Sequence, residues 1–286
     1  MLKQRIITAI ILLVILLGAL LAASPWPLVL LLTLTAGCAL FEWLRLTWLK
    51  TSGAMPAILG VLMGVAMLAV AYQWLAATPA PWALELRSGL NYWVIPGVAI
   101  IWVAAATAMV VRGQAQRKAH CVWLSLFGIF AVVAVWASLV QLYLLHGAWY
   151  LVSLLALIWF ADIAAYFVGR AIGRHKLAPK VSPGKTWEGA VGGVVAATAW
   201  VLISAYWPGS FGATLALRWP VGIVILIAIG LAAISIVGDL FESLLKRRAG
   251  VKDSSQLLPG HGGVYDRIDA LLPVAPLALL LTGLPI

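Results

Sequence analysis

Long apolar stretches divide this chain, and short polar segments separate them. Each stretch has about the 20 residues that a helix needs to cross the hydrocarbon core of a bilayer. Because lipid offers no hydrogen-bond partners to the backbone, such stretches cross the membrane as helices. The pattern predicts nine transmembrane helices, over residues 6–23, 27–44, 55–77, 92–111, 121–145, 149–169, 189–207, 220–245 and 270–285. We therefore expect an all-α polytopic membrane protein.

The first apolar stretch follows the short basic segment Met1–Arg5, as in a secretory signal peptide. Leu21, Ala22 and Ala23 form a weak cleavage site, but the long apolar core and the later spans favour an uncleaved first helix. We divide the predicted helices into an N-terminal group over residues 1–145, with about five spans, and a C-terminal group over residues 146–286, with about four.

The composition agrees with lipid as the main solvent of this chain. Of its 286 residues, 64% are hydrophobic and 10% are charged, whereas a soluble domain has about 25% charged residues. The net charge of +10 does not indicate nucleic-acid binding, because the basic residues lie in short loops between apolar stretches. Cys38 and Cys121 each lie within an apolar stretch, so we expect no disulfide framework and interpret both as small hydrophobic residues.

Basic residues are concentrated on alternate loops of the predicted topology. Seventeen of the 19 Lys and Arg residues lie in five segments on one side, namely the N-terminus and residues 45–54, 112–120, 170–188 and 246–269. Arg87 and Arg218 lie on the other side. By the positive-inside rule, the basic side is cytoplasmic, which places the N-terminus inside and the C-terminus outside.

Acidic residues join the bases in the last third of the chain, where seven of the nine Asp and Glu residues lie between Asp162 and Asp269. Carboxylates within membrane spans are costly and are functional candidates by default. Asp162 and Tyr166 are four residues apart and share a helix face, which suits either a substrate contact or a hydrogen bond between helices.

A second polar cluster precedes the seventh predicted span, over residues 182–189. Ser182 followed by proline predicts a helix start at this point. The backbone amides of a helix start, with Lys185 and Thr186 beside them, suit an anion such as phosphate. The spacing of the glycines is not that of a P-loop. A helix cap in an ordinary basic loop explains the same residues equally well.

The third cluster begins in the eighth predicted span and ends at Asp269. Its first five polar residues fall on one stripe of a helix, and they are Ser235, Asp239, Glu242, Ser243 and Lys246. The basic residues Arg247 and Lys252 follow, and then the segment His261–Asp269, in which paired glycines permit a tight turn. Asp266 and Asp269 are three residues apart and can face one way.

These residues predict a site for a metal ion and phosphate groups. Asp239, Asp266 and Asp269 supply the hard oxygen ligands that suit Mg²⁺, which binds a few carboxylates together with substrate phosphates. No cluster of cysteine and histidine indicates zinc. His261 suits a structural hydrogen bond or a catalytic proton role equally well, and no residue stands out as a covalent nucleophile.

The C-terminal cluster resembles the signature of the phosphatidate cytidylyltransferases, also called CDP-diacylglycerol synthases. The matching positions are Ser243, Lys246-Arg247, Lys252-Asp253 and His261–Asp269, together with Ser235–Ser243 and Ser182–Gly189 upstream. The segment around Asp162 and Tyr166 also looks like the family. The resemblance covers about residues 159–272, and the N-terminal half matches only as a set of spans.

The resemblance implies that the phosphate of phosphatidate attacks the α-phosphorus of CTP, with Mg²⁺, in the bacterial inner membrane and at its cytoplasmic face. It implies a homodimer, since the family often works as one. As catalytic residues it implies Asp239, Asp266, Asp269, Lys252 and His261, the three aspartates being the metal ligands. As substrate contacts it implies Asp162, Ser182, Lys185, Thr186, Ser243, Lys246, Arg247 and Arg267.

Two other functions fit part of the sequence. A CDP-alcohol phosphotransferase would also use membrane carboxylates with Mg²⁺, but its paired-aspartate motif is missing. An ion-coupled transporter would explain intramembrane Asp162, Asp239 and Glu242. It would not explain the cluster His261–Asp269 at the mouth of a helix, and the paired broken helices of such transporters are not seen in the sequence.

Overall fold

The computed structural model describes residues 2–48, 53–115 and 121–283, and helices dominate it. The helices are α1 (Leu2–Leu21), α2 (Trp26–Thr47), α3 (Met55–Leu75), α4 (Pro81–Val111), α5 (Val122–His146), α6 (Ala148–Ile172), α7 (Trp187–Ser204), α8 (Phe211–Arg218), α9 (Val221–Ala249), α10 (Tyr265–Ile268) and α11 (Leu271–Thr282). Helix α4 contains two π-helical turns, Leu90–Val94 and Trp102–Ala106. Two short strands, β1 (Lys176–Ala178) and β2 (Ser182–Thr186), pair as an antiparallel hairpin between α6 and α7.

Seven of these helices are long and apolar enough to cross a membrane, among the residues that the structure describes. They are α2 to α7 and α9, which coincide with seven of the nine predicted spans. The first predicted span falls on α1, in which the apolar stretch among the fully described residues is Ile10–Leu21. The last falls on α11, which has 12 residues. An all-α polytopic membrane protein is therefore confirmed, and the count of nine spans stays a prediction.

The local sequence explains where several helices begin and end. Helices α2, α3 and α4 each have a proline in the first turn, where the missing N–H is not needed. Helix α9 carries three basic residues in its last turn and ends at Gly250, which has a left-handed backbone with φ 70°. Basic side chains at a helix C-terminus followed by a left-handed glycine are a common way to end a helix.

The predicted helix start at Ser182 is wrong. Ser182 and Lys185 lie in strand β2, and helix α7 begins after Thr186. The Thr186 hydroxyl accepts a hydrogen bond from the amide of Gly189 at 3.2 Å, so Thr186 is the cap of the helix. The Ser-Pro pair predicted a cap four residues too early because residues 182–186 form the second strand of a hairpin.

An aromatic cluster joins the N-terminal and C-terminal helices. Its members are buried and come from α2, α4, α5, α9 and α10, and they are Trp43, Trp102, Phe127, Phe241 and Tyr265. The ring centres of Trp43 and Tyr265 are 5.1 Å apart, and the Trp43 indole donates to the Leu124 carbonyl at 2.9 Å. Because Tyr265 immediately precedes Asp266, this packing holds the acidic C-terminal segment against helix α2 near Trp43.

The described parts of the segments that the charge pattern predicts on one side lie at one end of the bundle. Hydrogen bonds in or next to these segments join Thr8 to Pro259, Cys121 to Thr47, Arg248 to Gln114 and Arg247 to Val181. We call this end the charged end. The basic residues Lys50, Arg117 and Lys118, which support the predicted orientation, lie outside the described residues. Cys38 and Cys121 are free thiols, as expected.

Candidate active site

Three carboxyl groups converge at the charged end. Asp239 and Glu242 are three residues apart on α9, and Asp269 lies between α10 and α11. Each offers one oxygen, and these three oxygens lie within 4.8 Å of one another. We call these residues the carboxylate group. Asp162 of α6 lies near enough to interact electrostatically with Asp239. The helix spacing predicted from the sequence thus brings Asp239 and Glu242 onto one face, and the fold adds Asp269.

The carboxylate group fits a hard divalent cation such as Mg²⁺. Its donors are all carboxylate oxygens, which this ion prefers. Glu242 is 2% exposed, and its Oε1 atom is buried without a hydrogen-bond partner among the described residues. A buried, unpaired carboxylate oxygen is costly, and a bound cation would satisfy it. The sequence prediction named Asp266 in place of Glu242 as the ligand from this region.

Two lysines face the carboxylate group. Lys185 of β2 forms an ion pair with Asp239. Lys246 lies one turn beyond Glu242 on α9, and its Nζ atom is 2.8 Å from Glu242 Oε2 and 2.8 Å from Asp266 Oδ1. The hairpin therefore carries Lys185 to the acidic residues of α9, which explains why a basic loop far away in the sequence belongs to this site.

Asp266 lies at the edge of the carboxylate group and orders the loop before it. Its Oδ1 atom accepts from Lys246, while its Oδ2 atom accepts from the Gly263 amide at 2.7 Å and from the amide and hydroxyl of Ser254 at 3.2 and 3.1 Å. Burial acts to raise the pKa of Asp266, but the hydrogen bonds that it accepts from Lys246 and the Gly263 amide act against burial, and this pKa is held well below its usual value.

Asp269 has the opposite environment. Burial and then the negative charge of Asp239 raise its pKa to about 8, although the Ala270 amide donates to its Oδ1 atom at 2.7 Å. Carboxylates that crowd one another in this way favour a shared proton or a bound cation. Asp266 and Asp269 are thus three residues apart in sequence but differ in role: the first is held by donors, and the second faces other acids.

The other residues singled out from the sequence are placed as follows. The Ser243 hydroxyl lies 3.5 Å from Asp239 Oδ1, and the Arg247 guanidinium donates to the Val181 carbonyl at 3.3 Å. Lys252 and Arg267 are exposed, and His261 is partly buried. The carbonyl of His261 accepts from Arg267, and its Nδ1 atom has no hydrogen-bond partner among the described residues. Ser243 therefore contacts the carboxylate group, and the predicted roles of all five residues stay predictions.

The sequence analysis missed Glu42 of α2. This residue is 0% exposed and accepts hydrogen bonds from the segment 254–265, which we call the clasp loop. A signal was present in the sequence, because Glu42 is an acid within an apolar stretch, and the rule that marked Asp162 as a candidate applies equally to it.

Comparison with known proteins agrees with the motifs. Residues 3–284 match the cytidylyltransferase family. A phosphatidate cytidylyltransferase of Haemophilus influenzae is 36% identical over 286 residues, covering 96% of both chains. That of Pseudomonas aeruginosa is 36% identical over 279 residues, covering 96% of this chain and 95% of the relative. That of Bacillus subtilis is 30% identical over 289 residues, covering 99% and 98%. The chain therefore belongs to the cytidylyltransferase family.

Proposed function

We propose that this protein transfers CMP from CTP to phosphatidate, giving CDP-diacylglycerol and pyrophosphate. The family match spans nearly the whole chain, and the relatives with this activity in their names align along almost their full length. The observation that carries the proposal is the carboxylate group with Lys185 and Lys246 beside it, at one end of a bundle of membrane helices. Neither the family nor these relatives support the transporter alternative.

In this reaction a phosphate oxygen of phosphatidate bonds to the α-phosphorus of CTP, and the bond from that phosphorus to the β-phosphate bridging oxygen breaks. Both reactants are anions, so the site must neutralise charge and hold the two phosphates in line. Lys185 and Lys246 each have a carboxylate partner, which holds the ammonium groups in place for phosphate oxygens. Covalent catalysis is not needed, which agrees with the lack of an activated nucleophile in the sequence.

The carboxylate group of Asp239, Glu242 and Asp269 is our proposed site for Mg²⁺, with Asp266 as the further ligand that the sequence predicts. These residues would hold the ion beside the reacting phosphates, where its positive charge would stabilise the leaving pyrophosphate. Lys252, Arg247 and Arg267 remain candidates for phosphate contacts. The partly buried His261 remains a candidate for a proton role.

We place the charged end at the cytoplasmic face of the bacterial inner membrane, with the N-terminus inside, nine spans and the C-terminus outside. The positive-inside rule supports this orientation. The hydrogen bonds between residues in or next to these basic segments support their location on one side. There the lipid substrate can keep its acyl chains in the bilayer while CTP arrives from water. A homodimer, and the division of the helices at residue 145, remain proposals.

The test is an assay of purified protein in phospholipid micelles containing phosphatidate, with CTP, UTP, ATP or GTP supplied separately, each with and without Mg²⁺. We expect CDP-diacylglycerol and pyrophosphate in equal amounts from CTP with Mg²⁺, and little product from the other nucleotides or without the ion. A Lys185→Met variant tests the site, because it removes the partner of Asp239 while leaving the helices unchanged. No lipid product from any nucleotide would refute the proposal.

A further inference from the structure

Glu42 lies far from the acidic cluster in sequence but is joined to it in the fold. Both of its carboxylate oxygens accept hydrogen bonds from the clasp loop. Oε2 accepts from the Ser254 hydroxyl at 3.0 Å and from the Tyr265 amide at 2.6 Å. Oε1 accepts from the Ser255 hydroxyl and from the Val264 amide at 3.0 Å. A carboxylate has about four acceptor positions, so these donors use its whole capacity.

The clasp loop is held by a second carboxylate on its other side. Ser254 Oγ lies 3.0 Å from Glu42 Oε2 and 3.1 Å from Asp266 Oδ2, so the single hydroxyl proton is shared between the two acids. Asp266 also accepts from the amides of Ser254 and Gly263. The loop therefore lies between Glu42 of α2 and Asp266 of α10. Apart from the shared Ser254 hydroxyl, the two carboxylates accept hydrogen bonds from different donors of the loop.

The space between the two carboxylates is filled. A Cβ atom added at Gly263 would overlap Ser254 Oγ and would come within 2.5 Å of Glu42 Oε2. Gly262 has φ 86°, a backbone conformation that glycine adopts freely and other residues rarely do. Gly263 thus lets the backbone approach Glu42 closely, and Gly262 permits the turn that precedes it.

The position of Asp266 is transmitted directly to the carboxylate group. Lys246 Nζ is 2.8 Å from both Asp266 Oδ1 and Glu242 Oε2. A shift of the clasp loop moves Asp266, and because Lys246 bonds both acids, it also changes the charge that Glu242 faces. The chain of contacts runs from Glu42 through Ser254 and Asp266 to Lys246 and ends at Glu242.

The geometry points to Glu42 as a positioning residue for cytidylyl transfer, which sets the place of Asp266 and Lys246 through the clasp loop. This inference rests on the proposed function. Hydrogen-bonded groups behind the ligands of a metal site commonly change its metal affinity or activity by about 10–100-fold. Glu42 is well suited to this role because it is rigidly held on a long helix and touches the loop at both of its ends.

The test compares Glu42→Gln and Glu42→Asp with Glu85→Gln, which alters an exposed acid of α4. Gln keeps the size of Glu but offers one acceptor oxygen and brings an N–H₂ group against the donors. Asp keeps both oxygens on a shorter chain. Three quantities are measured for each protein: the kcat for CTP, the KM for CTP, and the rate of amide hydrogen exchange in residues 254–265 and in α5.

We expect Glu42→Gln to lower kcat by about 10–100-fold while KM for CTP changes less than kcat. Amide exchange should rise in the clasp loop and not in α5. Glu42→Asp should retain more activity than Glu42→Gln, and Glu85→Gln should match the wild type. Should Glu42→Gln fail to fold, Ser255→Ala is the substitute, because it removes one donor to Glu42 and leaves Ser254 and Asp266 intact.

Three results would overturn the inference. The first is wild-type kcat and loop exchange in Glu42→Gln, or in Ser255→Ala where that variant replaces it. The second is faster exchange in the loop and in α5 alike, with a loss of kcat that only follows the folded fraction. The third is equal loss in the Gln and Asp variants. A wild-type protein without cytidylyl transfer would refute the function instead, and the exchange comparison would still decide whether Glu42 holds the loop.

Discussion

Lys246 is the residue whose removal should most disturb the charged end. Its ammonium group contacts Glu242 and Asp266, each at 2.8 Å, and its side chain is 16% exposed. At an effective dielectric constant of about 20, each contact has a Coulomb energy of about 6 kcal/mol before desolvation. Breaking a buried ion pair by removing one partner costs about 3–5 kcal/mol net. We therefore expect Lys246→Met to reduce the free energy of unfolding by about 3–5 kcal/mol.

Unfolding by SDS in mixed micelles, followed by the fluorescence of the 15 tryptophans, measures this loss. Lys252→Met is the matched control, because Lys252 is exposed and its loss should change stability by less than about 0.5 kcal/mol. The double variant Glu242→Gln with Lys246→Met should be more stable than Lys246→Met alone, since it no longer leaves the Glu242 charge buried without its partner. A loss below about 1 kcal/mol in Lys246→Met would refute this reasoning, as would a double variant less stable than the single one.

Three further predictions concern the site and its location. Asp239→Asn and Asp266→Asn should each lower Mg²⁺-dependent turnover of CTP by about 100-fold or more, measured by lipid product formed. Gly263→Ala should destabilise the protein by about 1–3 kcal/mol, measured in the same SDS titration, because the new methyl group would overlap Ser254 Oγ. A cysteine at exposed Gln256, in a chain without its two native cysteines, should react with a membrane-impermeant maleimide only in inside-out vesicles.

Each of these has an outcome that would contradict it. Near-normal turnover in both aspartate variants would remove the metal assignment. Wild-type stability in Gly263→Ala would mean that the clasp loop has room to move. Labelling of Gln256→Cys from the outer face alone would invert the proposed orientation. Gln256 is a better position than its neighbour Ser254, which is 2% exposed and hydrogen-bonded to both Glu42 and Asp266.

Much of the fold follows from the apolar pattern, because lipid permits few structures other than helices. Seven of the predicted spans coincide with helices of sufficient length. The pattern does not show hairpin β1–β2, since strands of three and five residues are too short to display a period. It also does not show the π-helical turns of α4, which change the helical register without changing the composition.

The site could be predicted in part. Spacing places Asp239 and Glu242 on one face, and the acidic segment after α9 supplies Asp269. The pairing of Lys185 with Asp239 depends on how the hairpin lies against α9, and no local pattern encodes that arrangement. Tertiary packing also determines that Lys246 pairs with both Glu242 and Asp266. It likewise places Asp266 outside the carboxylate group.

The contact between Glu42 and the clasp loop has a consequence for synthesis. Ser254 follows Glu42 by 212 residues, so at about 5–20 residues per second the ribosome needs roughly 10–40 s to supply this partner. Helix α2 must therefore enter the bilayer with a carboxylate whose final hydrogen bonds do not yet exist. Because Glu42 lies within two turns of the end of α2, water at the membrane surface can solvate it during this interval. An acid at the middle of the same helix would have no water to solvate it while the ribosome completed the chain.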